Sequence, residues 1–219
     1  MNEYLLLKLL HILAFVYWLG GDLGTFVASR QVINPSNSPE SRHIALKIML
    51  ACDMAPKLAM PLILPLGLHL SYLGNYLPLT AIQLGLIWAA SVYWFSVVLV
   101  LYANEGKPFT DRLSQLDLYF RIAVAIMLLV WGAYQLTEGA GASWAAWKLL
   151  IFAAMVCCGI AIRINLKPFV PAFAAMMTDG ANDSSNKAMA RSIDRCRPWV
   201  WCIWSGLFLN AALGIRLVG

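Results

Sequence analysis

Six apolar stretches, each long enough to cross a bilayer and each closed by turn chemistry, govern what this chain can fold into. They run over 4–29, 46–74, 78–102, 116–137, 143–166 and 197–217. A hydrocarbon core about 30 Å thick takes about 20 apolar residues to cross as a helix. Between them stand NPSNSPES at 34–41, GNYLP at 74–78, NEGKP at 104–108, EGAGAS at 138–143 and TDGANDSSNK at 178–187, all rich in residues that favour turns. Composition agrees: 61% of the 219 residues are hydrophobic and 12% charged, against about 25% charged in an average soluble domain. A water-soluble core of this size cannot absorb that much apolar surface. The expected fold is all-α: a single polytopic membrane domain, 1–219, of six transmembrane helices. Residues 167–196 should form a loop of two short amphipathic pieces around DGANDSSN.

Charge sets the orientation. If the N-terminal face is one side, six spans return the C-terminus to it. Of the 16 Lys and Arg, only Lys8, Lys148 and Arg216 then belong to that side; the other thirteen lie in or beside the opposite loops. Positive residues stay in the cytoplasm, so both termini should face the periplasm or exterior, 167–196 the cytoplasm, and the protein belongs in a bacterial inner membrane. The net charge of +5 then reflects topology and anionic lipid, not nucleic acid. The first stretch has no basic leader and no A-x-A-like exit, so it reads as a span and not a removable signal peptide.

The five cysteines form no C-x-x-C, C-x-x-C-H or spaced Cys/His set, which gives no sign of c-type haem attachment or structural zinc. No nucleophile–base motif, phosphate loop or dinucleotide fingerprint occurs, so hydrolase and nucleotide-driven chemistry have no support.

Ionisable groups at membrane depth are costly, and each is a functional candidate by default. At 1.5 Å per residue, His11 lies about 10 Å below the N-terminal face. His69 lies at nearly the same depth on the second span, and Lys148 about five residues into the fifth. Nearer the opposite face, Asp22, Asp53, Lys57 and Arg121 make a second, inner layer of mixed charge. Eleven residues separate His11 from Asp22, which places both on one helix face with Phe15 and Trp18 between them. Asp53 and His69 sit on nearly opposite faces of a straight helix, but Pro56, Pro61 and Pro65 lie between and could re-aim either.

Two imidazoles at one depth on neighbouring helices can hold a b-type haem in a bundle. The expected site comprises His11 and His69 as metal ligands, Lys148 as an alternative ligand or propionate anchor, Lys8 and Arg216 for charge balance, and Trp18 against the ring. Copper competes for the same layer, since imidazole and thioether suit it, with Asp22 and Asp53 as an inner gate.

Span one, KLLHILAFVYWLGGDLG, resembles, with one residue more between His11 and Trp18, the K-x-x-H-[IL]-x-x-[VA]-x-W-x-[GA]-G opening shared by CopD-type membrane proteins and HemJ-type protoporphyrinogen oxidases. SWAAWKLLIF in span five is similar to the W-x-x-x-K-[LI] stretch of the HemJ-type group. The likeness covers about the first 25 residues and about ten of span five. It implies a haem-associated role for His11 and an essential one for Lys148. The expected function is electron transfer by a b-type haem between a membrane carrier such as quinol and a periplasmic acceptor, alone or within a larger membrane complex. Copper transport of the CopD kind and HemJ-like porphyrinogen oxidation are the alternatives.

Overall fold

The computed structural model describes residues 2–217. Among the described residues seven helices follow one another: α1 Glu3–Ile33, α2 Pro39–Leu73, α3 Ala81–Ala103, α4 Pro108–Thr137, α5 Ser143–Leu166, α6 Phe169–Asp179 and α7 Asp183–Gly214. Among the described residues there is no strand. The turn chemistry sets the helix starts. Asn2 and Ser38 accept backbone N–H bonds from Tyr4 and Ser41, and Pro39 and Pro108 occupy first-turn positions. Thr80/Gln83 and Asn182/Ser185 form reciprocal capping boxes. The caps satisfy N–H groups that the first turn leaves free, and the prolines have no N–H there to satisfy.

Among the described residues five helical segments are long and apolar enough to cross a membrane: α1, α2, α3, α4, and α5 taken together with α6. Large apolar side chains such as Leu9, Val16, Leu86, Val130 and Phe208 cover the outside. A face of that kind suits hydrocarbon and not water. The sixth expected span is the C-terminal half of α7, less apolar than the other five. The expected break before it does not occur. α7 runs unbroken from Asp183 through Pro198 to Gly214, so the second amphipathic piece of 167–196 is the first half of the last long helix. A proline removes one helix hydrogen bond, and here neighbouring helices hold the segment across it.

α1, α2, α3, α4, α5 and α7 pack in that cyclic order, α7 closing back on α1, while α6 packs on α7. The α1–α2 seam is the tightest. A Cβ on Gly21 would stand 2.8 Å from the Cys52 carbonyl oxygen, and one on Gly24 2.8 Å from Cys52 Sγ. Two glycines one turn apart thus let the helices meet backbone to backbone, as small residues do in membrane interfaces. Three prolines lie inside α2, and Pro61 and Pro65 are fully buried.

A second apolar cluster joins Val32, Met49, Phe169, Phe173, Met176 and Met189 at the end of the bundle away from the termini. Arg42 is fully buried beside it. Its Nε donates to the Val32 carbonyl at 2.6 Å, Nη1 to Asn186 Oδ1 at 2.7 Å, and Nη2 to Met189 Sδ at 3.7 Å. The Val32 carbonyl belongs to the last turn of α1, where the helix dipole is negative. One guanidinium thereby ties the end of α1 and the starts of α2 and α7.

Candidate functional site

A cavity of about 280 Å³ opens at the end of the bundle that carries both termini. Its walls come from α1, α2, α5 and α7, among them Lys8, His11, Phe15, Trp18, Gly67, Trp144, Lys148 and Asn210. His11 reaches it because Leu7, Ala14 and Trp18 on the same α1 stripe are buried inward. The imidazole lies against α2 where Gly67 leaves room: a Cβ there would come 2.9 Å from His11 Cε1. Lys148 comes from α5, where Ala145 and Leu149 turn the face inward. Its amine passes α7 at Gly214, and a Cβ at that position would stand 3.0 Å from Nζ. Two glycines on two helices thus leave space for the two polar groups. His11 Nδ1 and Asn210 Oδ1 are buried without a hydrogen-bond partner, an arrangement a packed protein interior normally avoids.

Two helix ends build the rim. α2 stops with Asn75 at φ 52°, and the Tyr76 N–H bonds back to the Ser71 carbonyl at 2.9 Å. α7 stops in the same way, with Arg216 at φ 56° and the Leu217 N–H on the Ala212 carbonyl at 2.9 Å. Both are left-handed terminations with a six-to-one bond, a place glycine usually fills. They bring Tyr76 and Arg216 over the mouth. The Arg216 guanidinium lies 6.0 Å from the Tyr76 ring centre and 5.7 Å from that of Trp144, within cation–π range. Lys148 Nζ is 6.0 Å from Trp144 on its other approach.

Of the residues singled out from the sequence, His11, Lys148, Lys8 and Trp18 line the cavity, and Arg216 reaches its rim. His69 does not join them. Its Nε2 lies 3.6 Å from Glu3 Oε1 and its ring packs edge-on to Trp88. The reason is helical phase: α2 continues unbroken through its prolines, and Leu64, Gly67, Leu68 and Ser71 take the cavity face, which leaves position 69 pointing away.

The inner layer divides. Asp53 pairs with Lys57 one turn on, both partly exposed. Asp22 lies close to Asp53, Trp18 and Trp204, and its Oδ2 has no hydrogen-bond partner. Arg121 is not part of this group. It bonds to Asp117 Oδ2 at 2.9 Å, as does Arg163 from α5, and its guanidinium lies 5.1 Å from the Trp94 ring centre. Asp117, almost wholly buried, is thus the hub that joins α4 to α5. The signal was present in sequence as D117-x-x-x-R121 spacing, one helical turn, whereas the Arg163 partner needed the fold.

Tyr4, Tyr76, Gly67 and Asn210 also line the cavity, none of them a candidate from sequence. Only Asn210 carried a readable sign, as the lone amide in an otherwise apolar stretch, SGLFLNAALG. Among the described residues no three His, Cys, Asp or Glu side chains converge.

The architecture is that of a multi-pass α-helical membrane protein with a polar-tipped cavity at one end. No protein-family model, curated protein or solved structure matches the chain.

Proposed function

We propose that this protein holds a b-type haem in the cavity between α1, α2, α5 and α7 and passes electrons through it. The observation that carries the reading is the convergence of His11 and Lys148, from α1 and α5, on one apolar chamber. Three further features support it. The His11 ring has a buried nitrogen that no protein group satisfies. Phe15, Trp18, Leu149 and Phe152 offer the apolar faces that a macrocycle needs. Lys8, at the cavity, and Arg216, at its rim, offer cations where propionates would emerge. The resemblance of span one and span five to CopD-type and HemJ-type proteins falls on these two residues, His11 and Lys148. A bound haem would supply one-electron chemistry, its potential set by axial ligands and burial.

The chain's own residues divide the remaining tasks. His11 would hold the haem, its ring placed by Gly67 behind it. Lys148 is the second donor or the counter-charge, and the Tyr76–Arg216–Trp144 group covers the mouth. With thirteen of its 16 basic residues on the opposite side, this mouth faces the periplasm of a bacterial inner membrane, where an acceptor can approach. The electron donor is a quinol of the bilayer. Haem content by pyridine haemochromogen assay and metal content by mass spectrometry, on detergent-purified protein, test the reading. About one haem per chain is expected. A colourless protein with stoichiometric copper would favour CopD-like transport, and haem-free oxidation of protoporphyrinogen IX would favour the HemJ-like activity.

A further inference from the structure

We infer that a second cavity, between α2, α3 and α4, is the site at which a lipid-soluble quinone or quinol binds. This chamber holds about 450 Å³ and is lined almost wholly by apolar side chains, a size and character typical of small-molecule sites. Trp94, Phe120 and Trp131 give it flat aromatic walls, which suit a planar ring. The polar feature is on α3. Trp94 is buried, and its indole N–H has no acceptor. Ser91, one turn earlier and also buried, lines the same chamber. Two donors three residues apart stand on one helix face. A buried donor without an acceptor is destabilising, and a carbonyl or phenolic oxygen on the occupant would supply what Trp94 lacks. Leu86 and Met127, both exposed on the outer surface, flank the chamber on α3 and α4. A tail of isoprenoid length can therefore leave between these helices into hydrocarbon.

Position argues for a redox carrier over a structural acyl chain. Leu64 and Leu68 of α2 line this chamber and the His11 cavity alike, so one layer of leucine separates the two. A ring held there stands beside the proposed haem, and in that sense the inference rests on the proposed function. Binding itself does not require the haem.

Equilibrium dialysis of the quinone-depleted protein in detergent against a decyl-substituted benzoquinone tests the site. The wild type should bind one equivalent saturably. Trp94→Phe, which keeps an aromatic wall but removes the N–H, should weaken binding about tenfold. Ala90→Phe, which fills the chamber from its α3 wall, should abolish it. Asp194→Asn, at an exposed position outside the lining, should bind as the wild type does. A saturated phospholipid or alkane that competes equally, with no loss in Trp94→Phe, would make the chamber a lipid seat and overturn the inference. Absence of saturable binding in a haem-replete wild type would overturn it while leaving the haem assignment intact. Saturable, Trp94-dependent binding in a protein without haem would uphold the site and remove the electron-transfer reading.

Discussion

The imidazole of His11 on α1 rests on Gly67 of α2, so closely that a single added carbon at position 67 would stand 2.9 Å from Cε1. The ring's place in the cavity therefore depends on a hydrogen atom on the neighbouring helix. Gly67→Leu should push the imidazole out of its position and lower haem occupancy at least tenfold, with the chain still inserted and monodisperse. The ratio of Soret to protein absorbance measures this. Full occupancy would mean that His11 does not bind where it now points.

Lys148 comes from a different helix and meets α7 at Gly214. Lys148→Met keeps the length of the side chain and removes its charge. If the amine is an axial ligand, the variant should shift the α-band and the spin state of the haem. If it is a counter-charge, the spectrum should hold and the midpoint potential should change instead. A variant unchanged in both would remove Lys148 from the site.

Asp117 accepts from both Arg121 and Arg163 while almost wholly buried. Removing one member of a buried charge group typically costs about 3–5 kcal/mol, because the remaining charges stay buried without compensation. Asp117→Ala should lower the unfolding temperature in detergent markedly. The half-exposed Asp53–Lys57 pair is worth about 0–1 kcal/mol, so Asp53→Asn should change neither stability nor the haem spectrum. Equal effects from the two substitutions would contradict this ranking.

Arg42 joins the end of α1 to the start of α7 through Val32 and Asn186. Arg42→Met leaves two acceptors unsatisfied, at about 1–3 kcal/mol each. The α6–α7 connection at 180–182 should then become accessible to a protease at native temperature. Resistance equal to the wild type would show that the apolar cluster of Phe169, Phe173 and Met189 holds these elements without the arginine.

The helices were legible in the sequence because length, hydropathy and turn residues act locally. The stretches at 46–74, 78–102, 116–137 and 143–166 each fall within a few residues of a helix or inside one. The start of α7 was not: the last span reads as beginning at 197, whereas the helix runs unbroken from Asp183 through Pro198, because the polar first half packs on α6 and α5 and carries no apolar run of its own. Depth alone placed His11 and Lys148 together, since rise per residue is fixed. It failed for His69, where angle about the axis decides and the three prolines left that angle open. Arg42, read from sequence as a loop charge near the cytoplasmic face, is buried; nothing in SRHIALK distinguishes it from a solvated arginine. Asp117 carried its i,i+4 partner in plain view, but its second partner lies 46 residues on. Contacts between distant segments, such as Tyr76 with Arg216, come from two left-handed helix ends at Asn and Arg, where sequence habit would have looked for glycine.

The most direct test of the account is the reduced-minus-oxidised optical spectrum of the purified protein beside that of His11→Ala. A haem held by His11 gives a sharp Soret and α-band in the wild type and their loss in the variant, with both proteins equally folded by circular dichroism. A wild type without these bands, or a variant that keeps them in full, would contradict it.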